Sequence, residues 1–494
     1  MSNVSDQPNN AARYFFKKST GLILSLLAFA LVVAGIMVAL PRSTTTQTAK
    51  ATGSGDWPTY MYSAGRGSYN QAETAINQTT APSLKLHWSY PPSIQPIKQP
   101  IYSQPVEANG MVYWGSFDGY EYATDLNGNL IWSTNLGGSI TQCVPTPLGV
   151  VGSAAVVNDV LVNGVLYNDV LYVGGSDHNL YALNASTGQV LWQTLLGVPN
   201  SNTFIWDSPL VVNGNVYIGT GTTGEAAGCK NVQGQLFELS ASTGNIENTF
   251  DVVPNGCKGG GIWGSPTYDA SDNSIYITTG NVSGPCTEPY AVGIVKLNAS
   301  NLVLETSWHL PLLQRGVSDA DFGTTPVLFT ANIGGTVHQM VGAAHKNGNF
   351  YAFDRATLSP HVTPSWTATI AVTGNCPDCG EGSISPAVFD GSHLFVAGGK
   401  TTINTTACGG SVQELDPATG KYIWQACLPK TVLGAVTEVP GVIAVVDSPY
   451  LTLLNASSGA GLRTIQNHFY GSASISNGVL YVGSTSGQLS AYGV

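Results

Sequence analysis

Residues 172–192 read YVGGSDHNLYALNASTGQVLW, and this stretch decides the fold. A strand ending in glycine leads to a second strand ending at Asn184, then to the turn Ala-Ser-Thr-Gly188 and to a strand capped by Trp192. Alternating apolar residues indicate half-buried strands, and glycine after Ser-Thr supplies the positive φ that a tight hairpin needs. The stretch therefore predicts consecutive antiparallel hairpins.

The same pattern recurs along the chain, each time with a polar residue before the turn and a large residue closing the last strand. The six further complete copies are ATDLNGNLIW (123–132), ELSASTGNIENTF (238–250), KLNASNLVLETSW (296–308), AFDRATLSPHVTPSW (352–366), ELDPATGKYIW (414–424) and LLNASSGAGLRTI (453–465). Such a period is typical of a propeller in which each copy forms one blade, and the capping aromatic residue is large enough to wedge between neighbouring sheets. No helix-period segment of useful length follows residue 56, so we predict an all-β class.

An eighth copy is divided between the ends of the chain. LYVGSTSGQLSAYGV (480–494) stops before its aromatic strand, whereas LKLHW (84–88) is an aromatic-capped strand with no preceding partner. Joining the two completes a blade and removes exposed sheet edges. We therefore predict an eight-bladed β-propeller over residues 57–494, closed by its N- and C-terminal strands. Seven blades are the alternative, because the repeat spacing is uneven.

The N-terminal region predicts a membrane anchor. Arg13, Lys17 and Lys18 precede an uncharged stretch over residues 21–40, which as a helix at about 1.5 Å per residue spans roughly 30 Å, the hydrocarbon thickness of a bilayer. Positive charge on the N-terminal side predicts a cytoplasmic segment 1–20, a single transmembrane signal-anchor 21–40 and a flexible tether 41–56. The propeller is then expected outside the cytoplasm, in the periplasm or the extracellular space. Cleavage near residues 49–51 is the alternative.

Charge and cysteine content are consistent with an exported protein. The formal net charge is −11 and no Lys/Arg cluster follows the N-terminus, which disfavours binding to nucleic acid. All eight cysteines lie beyond the apolar segment, and in an oxidising compartment an even number favours disulfides. We predict the pairs Cys408–Cys427 and Cys376–Cys379 and a pairing among Cys229, Cys257 and Cys286.

Residues 259–281, GGGIWGSPTYDASDNSIYITTGN, carry the most specific local pattern. They resemble the segment of PQQ-dependent alcohol dehydrogenases in which a Trp stacks beneath the quinone and an Asn eighteen residues later binds the active-site calcium. Those positions fall on Trp263 and Asn281. Within this family the sequence is most similar in its short phrases to polyvinyl-alcohol dehydrogenase-like members. The resemblance covers the propeller repeats over roughly residues 84–494.

Three further segments resemble the family in chain order. GTGTTGEAAG (219–228) resembles the loop with the calcium-binding glutamate, here Glu225. SDADFGTTPVLF (318–329) resembles the loop with the catalytic aspartate, here Asp321. AHKNGNFYAFDR (344–355) resembles the segment whose cation reaches the quinone oxygens, here Lys346. The chain departs from the family in lacking a pair of adjacent cysteines.

The resemblance implies oxidation of a small or polymeric alcohol by calcium and PQQ. It assigns Glu225, Asn281 and Asp321 to calcium, Trp263 and Lys346 to the quinone, and catalysis to Asp321 and Lys346. Calcium prefers several hard oxygen ligands, which these residue types supply. Gly380, and not His, follows Cys376-Pro-Asp-Cys379, so no c-type haem site is predicted and an external electron acceptor is expected. If these roles are right, the side chains should meet at one mouth of the propeller channel.

Each of these residues also has a purely structural interpretation. Trp263 could pack between blades, Asn281 and Lys346 belong to turn-like sequences, and Glu225 lies in a glycine-rich loop. Asp321, with Asp319 two residues away, could be a loop acid or part of a structural calcium site. The alternative functions are therefore a non-catalytic envelope scaffold and a polymer-binding module. The polymer-binding hypothesis rests on aromatic residues that would stack on sugar rings if exposed: Tyr60, Tyr62, Tyr69, Trp114 and Tyr120.

Overall fold

The computed structural model describes residues 55–92, 99–141, 144–197, 201–222, 232–284 and 286–494. Their regular structure is antiparallel strand together with three short 3-10 turns, Ala81–Ser83, Leu312–Gln314 and Pro377–Cys379, and these described ranges contain no α-helix. Seven sheets contain four strands in meander order, and an eighth contains four such strands and one short additional strand, which confirms the all-β eight-bladed propeller. Blades are numbered 1 to 8 from the first complete sheet.

The four strands of a blade run in order from the channel outwards. In blades 1 to 4 they are Val106–Ala108, Met111–Gly115, Tyr120–Asp125 and Leu130–Asn135; Ala155–Val162, Val165–Gly174, Asn179–Asn184 and Val190–Leu195; Leu210–Val212, Asn215–Thr222, Gln235–Ser240 and Ile246–Asp251; and Thr267–Asp269, Ser274–Thr278, Gly293–Asn298 and Leu304–His309.

In blades 5 to 8 the strands are Val327–Ile333, Thr336–Ala344, Asn349–Asp354 and Trp366–Thr369; Val388–Phe389, Leu394–Gly398, Gly410–Leu415 and Tyr422–Leu428; Thr437–Val439, Val442–Asp447, Tyr450–Asn455 and Gly461–Gln466; and Ser474–Ser476, Val479–Val482, Leu489–Gly493 and Lys85–Tyr90. The hairpins Ser139–Thr141/Val144–Leu148 and Thr401–Ile403/Thr406–Cys408 and the short strand Thr203–Phe204 are additions to this pattern.

Blade 8 closes the ring as the split repeat predicts. Its outer strand, Lys85–Tyr90, comes from the beginning of the propeller and pairs antiparallel with Leu489–Gly493 at the end of the chain. The register runs from Lys85 opposite Gly493 to Tyr90 opposite Leu489. The two chain ends therefore share one sheet, and the interrupted eighth repeat is a complete blade.

The capping tryptophans fasten each blade to the next. Trp132 of blade 1 is buried, with 7% of its surface exposed, and its indole Nε1 donates a hydrogen bond of 2.8 Å to the carbonyl of Ala185 in the repeat turn of blade 2. A Cβ added to Gly188 of that turn would lie 2.7 Å from the Trp132 ring, and Gly188 has a φ of +71°. Glycine is needed here both for the backbone conformation and for the close approach of the ring.

The same contact recurs around the propeller. Trp88, Trp192, Trp366 and Trp424 each lie against a glycine of the next repeat turn, and their indole nitrogens donate to backbone carbonyls of Leu126, Ala241, Pro417 and Ala456. The hydrophobic clusters accordingly lie between neighbouring blades; one of them joins Val157 and Tyr172 of blade 2 to Val216 and Ile218 of blade 3. The repeat thus builds the core at blade interfaces.

Three disulfides are present among the described residues. Cys408–Cys427 and Cys376–Cys379 are confirmed, and Cys257–Cys286 is the pair formed within the predicted set of three. Cys143 and Cys229 lie outside the described residues.

The predicted membrane segment, residues 21–40, also lies outside the described residues. Within the part of the chain that the structure describes, no helix has the length and apolar character needed to cross a membrane. Gly55 and Asp56, the last two residues of the predicted tether, are already buried.

Candidate active site

Loops of blades 4 and 5 bring four of the predicted site residues together. Trp263 precedes the first strand of blade 4 and Asn281 follows its second strand, whereas Asp321 and Lys346 occupy the corresponding places in blade 5. In a four-stranded meander the start of the first strand and the end of the second lie at the same end of the sheet. The order of the strands therefore places all four residues at one end of two adjacent blades.

These four residues line one cavity of about 340 Å³. Its volume falls within the roughly 300–1,000 Å³ range of small-molecule sites. The cavity is further lined by Trp206, Gly221, Thr222, Val232, Gly259, Gly261, Gly280 and Asp319. The four glycines leave part of the wall free of side chains. Glu225 lies outside the described residues, so its position relative to this cavity is not described.

An acid-lysine-acid cluster forms the charged wall of the cavity. Lys346 Nζ lies 2.7 Å from Asp319 Oδ2 and 2.7 Å from Asp321 Oδ2. The other oxygen of Asp321, Oδ1, accepts the backbone N–H of Asn281 at 2.7 Å. Lys346 and Asp321 are buried, with 7% and 6% of their surfaces exposed. Buried charges of this kind need partners, and the two carboxylates and the ammonium supply them to one another.

The cluster separates the proton affinities of its two carboxylates. Burial alone would raise the pKa of Asp321, but the Lys346 ammonium and the hydrogen bonds from Lys346 and from the Asn281 N–H outweigh it and lower the pKa. Burial and the neighbouring Asp321 charge instead raise the pKa of Asp319 to about 6. Burial lowers the pKa of Lys346 less than its two carboxylate partners raise it, so the ammonium form is favoured. Asp321 is thus held as an anion beside a permanent cation.

Trp263 presents a flat face beside this charge. Lys346 Nζ lies 5.2 Å from the centroid of the Trp263 ring, within the range of a cation–π contact. Gly323 packs against the ring edge, and a side chain there would collide with it. Trp263 is only partly buried and lies in a loop, not on the outer strand of a blade. Its surroundings therefore differ from those of the tryptophans that cap the blades.

A second cavity, of about 250 Å³, lies on the propeller axis and shares Trp206 and Trp263 with the first. Residues preceding the innermost strands of all eight blades line it. A chain of hydrogen bonds links five of these loops: Gln104 N to Ser153 Oγ, Ser153 N to Ser208 Oγ, Ser208 N to Ser265 Oγ and Ser265 N to Thr325 Oγ1, at 2.8–3.0 Å. These bonds fix the loops that carry Trp263 and Asp321.

Sequence reasoning missed two lining residues. Asp319 enters the sequence-based prediction only as a neighbour of Asp321, yet it shares the lysine. Trp206 occupies the place in blade 3 that Trp263 occupies in blade 4, since both begin a Trp-x-Ser-Pro sequence. That repeated sequence could have identified Trp206, whereas no local pattern distinguishes Asp319 from an ordinary loop acid.

The aromatic residues of the polymer-binding hypothesis do not form an exposed surface. None of the five is exposed, and Trp114 retains only 1% of its surface. Trp114 stacks on Tyr122 with centroids 5.5 Å apart, and Tyr62 packs edge-on against Trp57 at 5.3 Å. These contacts are the packing role of aromatic residues.

The described residues supply some oxygen donors for a metal ion but no complete ligand set. In the described ranges no cluster of three or more His, Cys, Asp or Glu side chains is placed to hold a metal ion. Asp319 Oδ1 is nevertheless buried without a hydrogen-bond partner at the cavity, and Asn281 contributes a further oxygen donor. A hard cation beside this wall would satisfy the orphaned carboxylate oxygen.

Comparison with known proteins identifies the family. Residues 57–364, more than half of the chain, match the model of the PQQ-binding "glucose/ethanol/alcohol dehydrogenase, beta-propeller domain". The chain belongs to the PQQ-dependent alcohol dehydrogenase-like β-propeller family.

Individual members of this PQQ family are distant relatives. The chain is 28% identical to quinohemoprotein alcohol dehydrogenase ADH-IIG of Pseudomonas putida over 59% of its own length and 44% of that protein. It is 27% identical to a quinohemoprotein alcohol dehydrogenase of Comamonas testosteroni over 61% of its length and 45% of the relative. The matches thus span less than half of these relatives.

The fold of the PQQ family extends over most of the chain. The crystal structure of the Comamonas testosteroni quinohemoprotein alcohol dehydrogenase superposes with a TM-score of 0.68 over 89% of this chain and 80% of that one, at 19% identity. At this identity the likeness shows the fold alone.

Proposed function

We propose that the protein oxidises alcohols with PQQ bound in the cavity between blades 4 and 5 and transfers the electrons to an external acceptor. The observation that carries this proposal is the meeting of Trp263, Asp321 and Lys346 on one glycine-walled cavity. A flat aromatic face, an open volume of about 340 Å³ and a buried cation suit a planar cofactor with polar oxygens. Membership of the PQQ family supports the same cofactor.

The chain's own residues would each contribute a distinct part. PQQ, when bound, supplies the hydride acceptor that no protein side chain provides. Trp263 would support the plane of the cofactor from one side. Lys346 would donate a charge-assisted hydrogen bond toward an oxygen on which negative charge develops. Its two carboxylate partners hold the ammonium in place at 2.7 Å.

Asp321 is the proposed general base. It is held as an anion by Lys346, and its lowered pKa keeps it deprotonated at neutral pH. A carboxylate at this position can accept the hydroxyl proton of an alcohol as hydride leaves the carbon. The backbone N–H of Asn281 fixes Oδ1 at 2.7 Å, which leaves Oδ2 at the lysine side of the cavity.

Calcium is the proposed metal, with Asn281, Asp321 and Glu225 as protein ligands. Oxygen donors of this kind suit a hard cation. The unpartnered Asp319 Oδ1 is a further oxygen donor available at the same wall.

We further propose that the substrate is a small or polymeric alcohol and that the propeller works outside the cytoplasmic membrane, anchored only through residues 21–40. The apolar segment with flanking positive charge and the disulfide content support this location. The acceptor is expected to be a separate redox protein or a quinone. The alternative remains a propeller that serves as an envelope scaffold.

The test is alcohol-dependent reduction of an artificial electron acceptor after incubation with PQQ and calcium. Wild-type protein should turn over, and Asp321→Asn should lose about 10²–10⁴-fold in kcat/KM because the base is neutralised while its shape is kept. Thr330→Ala, on a blade 5 strand outside the cavity, is the control and should remain active. Equal rates in wild type and Asp321→Asn would remove Asp321 from the mechanism, and no turnover on any alcohol would favour the scaffold.

A further inference from the structure

The connection from blade 5 to blade 6 folds back onto the acid-lysine-acid cluster. We call residues 373–381 of this connection the cystine loop, because the disulfide Cys376–Cys379 closes it. The 3-10 turn Pro377–Cys379 lies inside the closed ring, and Cys379 N donates to the carbonyl of Cys376 at 2.9 Å. The disulfide therefore limits the conformations of a loop with little other regular structure.

The cystine loop contacts the backbone around Lys346. Gly374 N donates to the carbonyl of Lys346 at 3.3 Å, and Thr373 Oγ1 donates to the carbonyl of Asn347 at 2.7 Å. Immediately after the loop, Gly382 packs so closely on Lys346 that a Cβ there would collide with its backbone. The base of the lysine side chain is thus held from the blade 6 side.

Asn375 joins the cystine loop to the segment 318–321, which carries Asp319 and Asp321. Its Oδ1 accepts the backbone N–H of Asp319 at 3.0 Å, and its Nδ2 donates to Ser318 Oγ at 3.1 Å. Both hydrogen bonds of one amide side chain therefore end on Ser318 and Asp319, at the start of the segment that carries the two acids. Asn375 directly precedes Cys376, so the disulfide fixes the place from which it reaches across.

The other side of the ring is also tied down. Tyr470 OH, from the loop before blade 8, donates to Asp378 Oδ1 at 3.3 Å. Within the loop itself, Cys376 N donates to Glu381 Oε2 at 3.2 Å. The loop therefore contacts both the acid-lysine-acid cluster and the blade 8 side of the central cavity.

We propose that Asn375, anchored by the Cys376–Cys379 disulfide, is a positioning residue that sets Asp319 and through it the Lys346 ammonium. Asp319 and Asp321 share one lysine, so a shift of Asp319 changes where Nζ lies between them. Misplacement of a catalytic cation by about 1 Å costs on the order of a hundredfold in rate. This role rests on the proposed function, but the hydrogen bonds that create it do not.

The test compares wild type, Asn375→Ala, the double variant Cys376→Ser/Cys379→Ser and the triple variant, all as full chains. Asn375→Ala and the double variant should each lower kcat by about 10–100-fold and leave the alcohol KM within about threefold, because the cation and not the alcohol pocket is displaced. The triple variant should be no worse than the poorer of the two, since both changes break the same connection. Losses that multiply in the triple variant would overturn the proposal.

Hydrogen–deuterium exchange gives a readout that does not depend on alcohol oxidation. In Asn375→Ala the peptide over residues 316–323 should exchange faster, because the Asp319 N–H loses its acceptor. Unchanged exchange together with unchanged kcat would refute the positioning role. If Asn375→Ala exchanges faster while the wild type itself shows no turnover, the proposed function is rejected. The structural connection between Asn375 and Asp319 is then still supported.

The matched control is Cys408→Ser/Cys427→Ser, which opens the other blade 6 disulfide. It spans 19 residues and joins the added hairpin to the outer strand. Its loss should lower the melting temperature and leave kcat of the folded protein and exchange over 316–323 unchanged. An equal loss of kcat in this control would show that any disulfide loss in blade 6 suffices, contradicting the specific role of Asn375.

Discussion

Trp132 and Trp263 show how one residue type serves two purposes in the same propeller. Trp132 caps an outer strand, is 7% exposed, donates its indole N–H to the next blade at 2.8 Å and lies on a glycine of the repeat turn. Trp263 lies in a loop before an inner strand, is partly exposed to two cavities and faces a lysine at 5.2 Å. The outer edges of the blades hold the ring together, whereas the inner loops of blades 4 and 5 line an open cavity.

The largest expected effect is on stability at an outer tryptophan. Trp132→Ala should lower the free energy of unfolding by about 3–5 kcal/mol, because it removes a buried ring and leaves the Ala185 carbonyl without its donor. Urea unfolding followed by circular dichroism measures this. Trp263→Ala is the comparison and should cost less than about 1.5 kcal/mol, since its ring borders open cavities. Equal losses would erase the distinction between the two tryptophans.

A smaller effect is expected at the cation of the site. Lys346→Gln should lower kcat/KM by about a hundredfold, because the donor and its charge are removed from the cavity wall. The variant also leaves Asp319 and Asp321 facing each other without a cation, so the pKa of Asp321 should rise and the acid limb of the pH profile should move upward. Steady-state rates from pH 5 to 9 check both expectations.

Lys296→Gln is the matched control for that substitution. Lys296 forms ion pairs with Asp272 and Glu305 away from the cavity. If Lys296→Gln loses as much activity as Lys346→Gln, the loss comes from removing any partly buried lysine and not from a property of the inner loops.

The repeat could be predicted from the sequence, and the complete site could not. The turn Ala-Ser-Thr-Gly188 and the capping Trp192 can be recognised from the local sequence, because a positive φ and a large ring are properties of single residues. Trp263, Asn281, Asp321 and Lys346 could be singled out through their resemblance to the family, and the structure brings them to one cavity.

The remaining contacts depend on tertiary structure. Asp319 has the sequence context of any loop acid, and its importance becomes visible only where Lys346, 27 residues away, reaches it. The bond from Asp319 to Asn375 crosses 56 residues and joins two irregular loops. No periodicity or turn signal in the sequence predicts that these two loops are in contact. The catalytic, cofactor-binding and metal-binding roles of the site residues, Glu225 included, remain predictions.

The smallest effect is expected from the histidine beside the site lysine. His345 is fully buried, and its Nδ1 accepts the backbone N–H of Asn347 at 2.9 Å. Burial lowers its pKa to about 4. Its neutral form therefore contributes stability above the unfolded pKa of about 6.5, and this contribution is lost as the pH falls toward 4.

Between pH 7 and pH 5 this group should cost the wild type about 1–2 kcal/mol of unfolding free energy. His345→Gln keeps an acceptor for Asn347 and cannot be protonated, so the difference between the two proteins should shrink or reverse at pH 5. Parallel urea titrations at both pH values measure it. The same pH dependence in both proteins would show that His345 is not held neutral by the fold.

The most direct test of the account is a PQQ titration followed by tryptophan fluorescence in wild type, Trp263→Ala and Trp132→Phe, with and without calcium. We predict saturable quenching in wild type and in Trp132→Phe that calcium strengthens, and a loss of about tenfold or more in affinity in Trp263→Ala, since a stacked aromatic face is worth about 1–3 kcal/mol. Quenching that is unchanged in Trp263→Ala, or absent from the wild type at micromolar PQQ, would contradict the assignment of the cavity between blades 4 and 5 as the cofactor site.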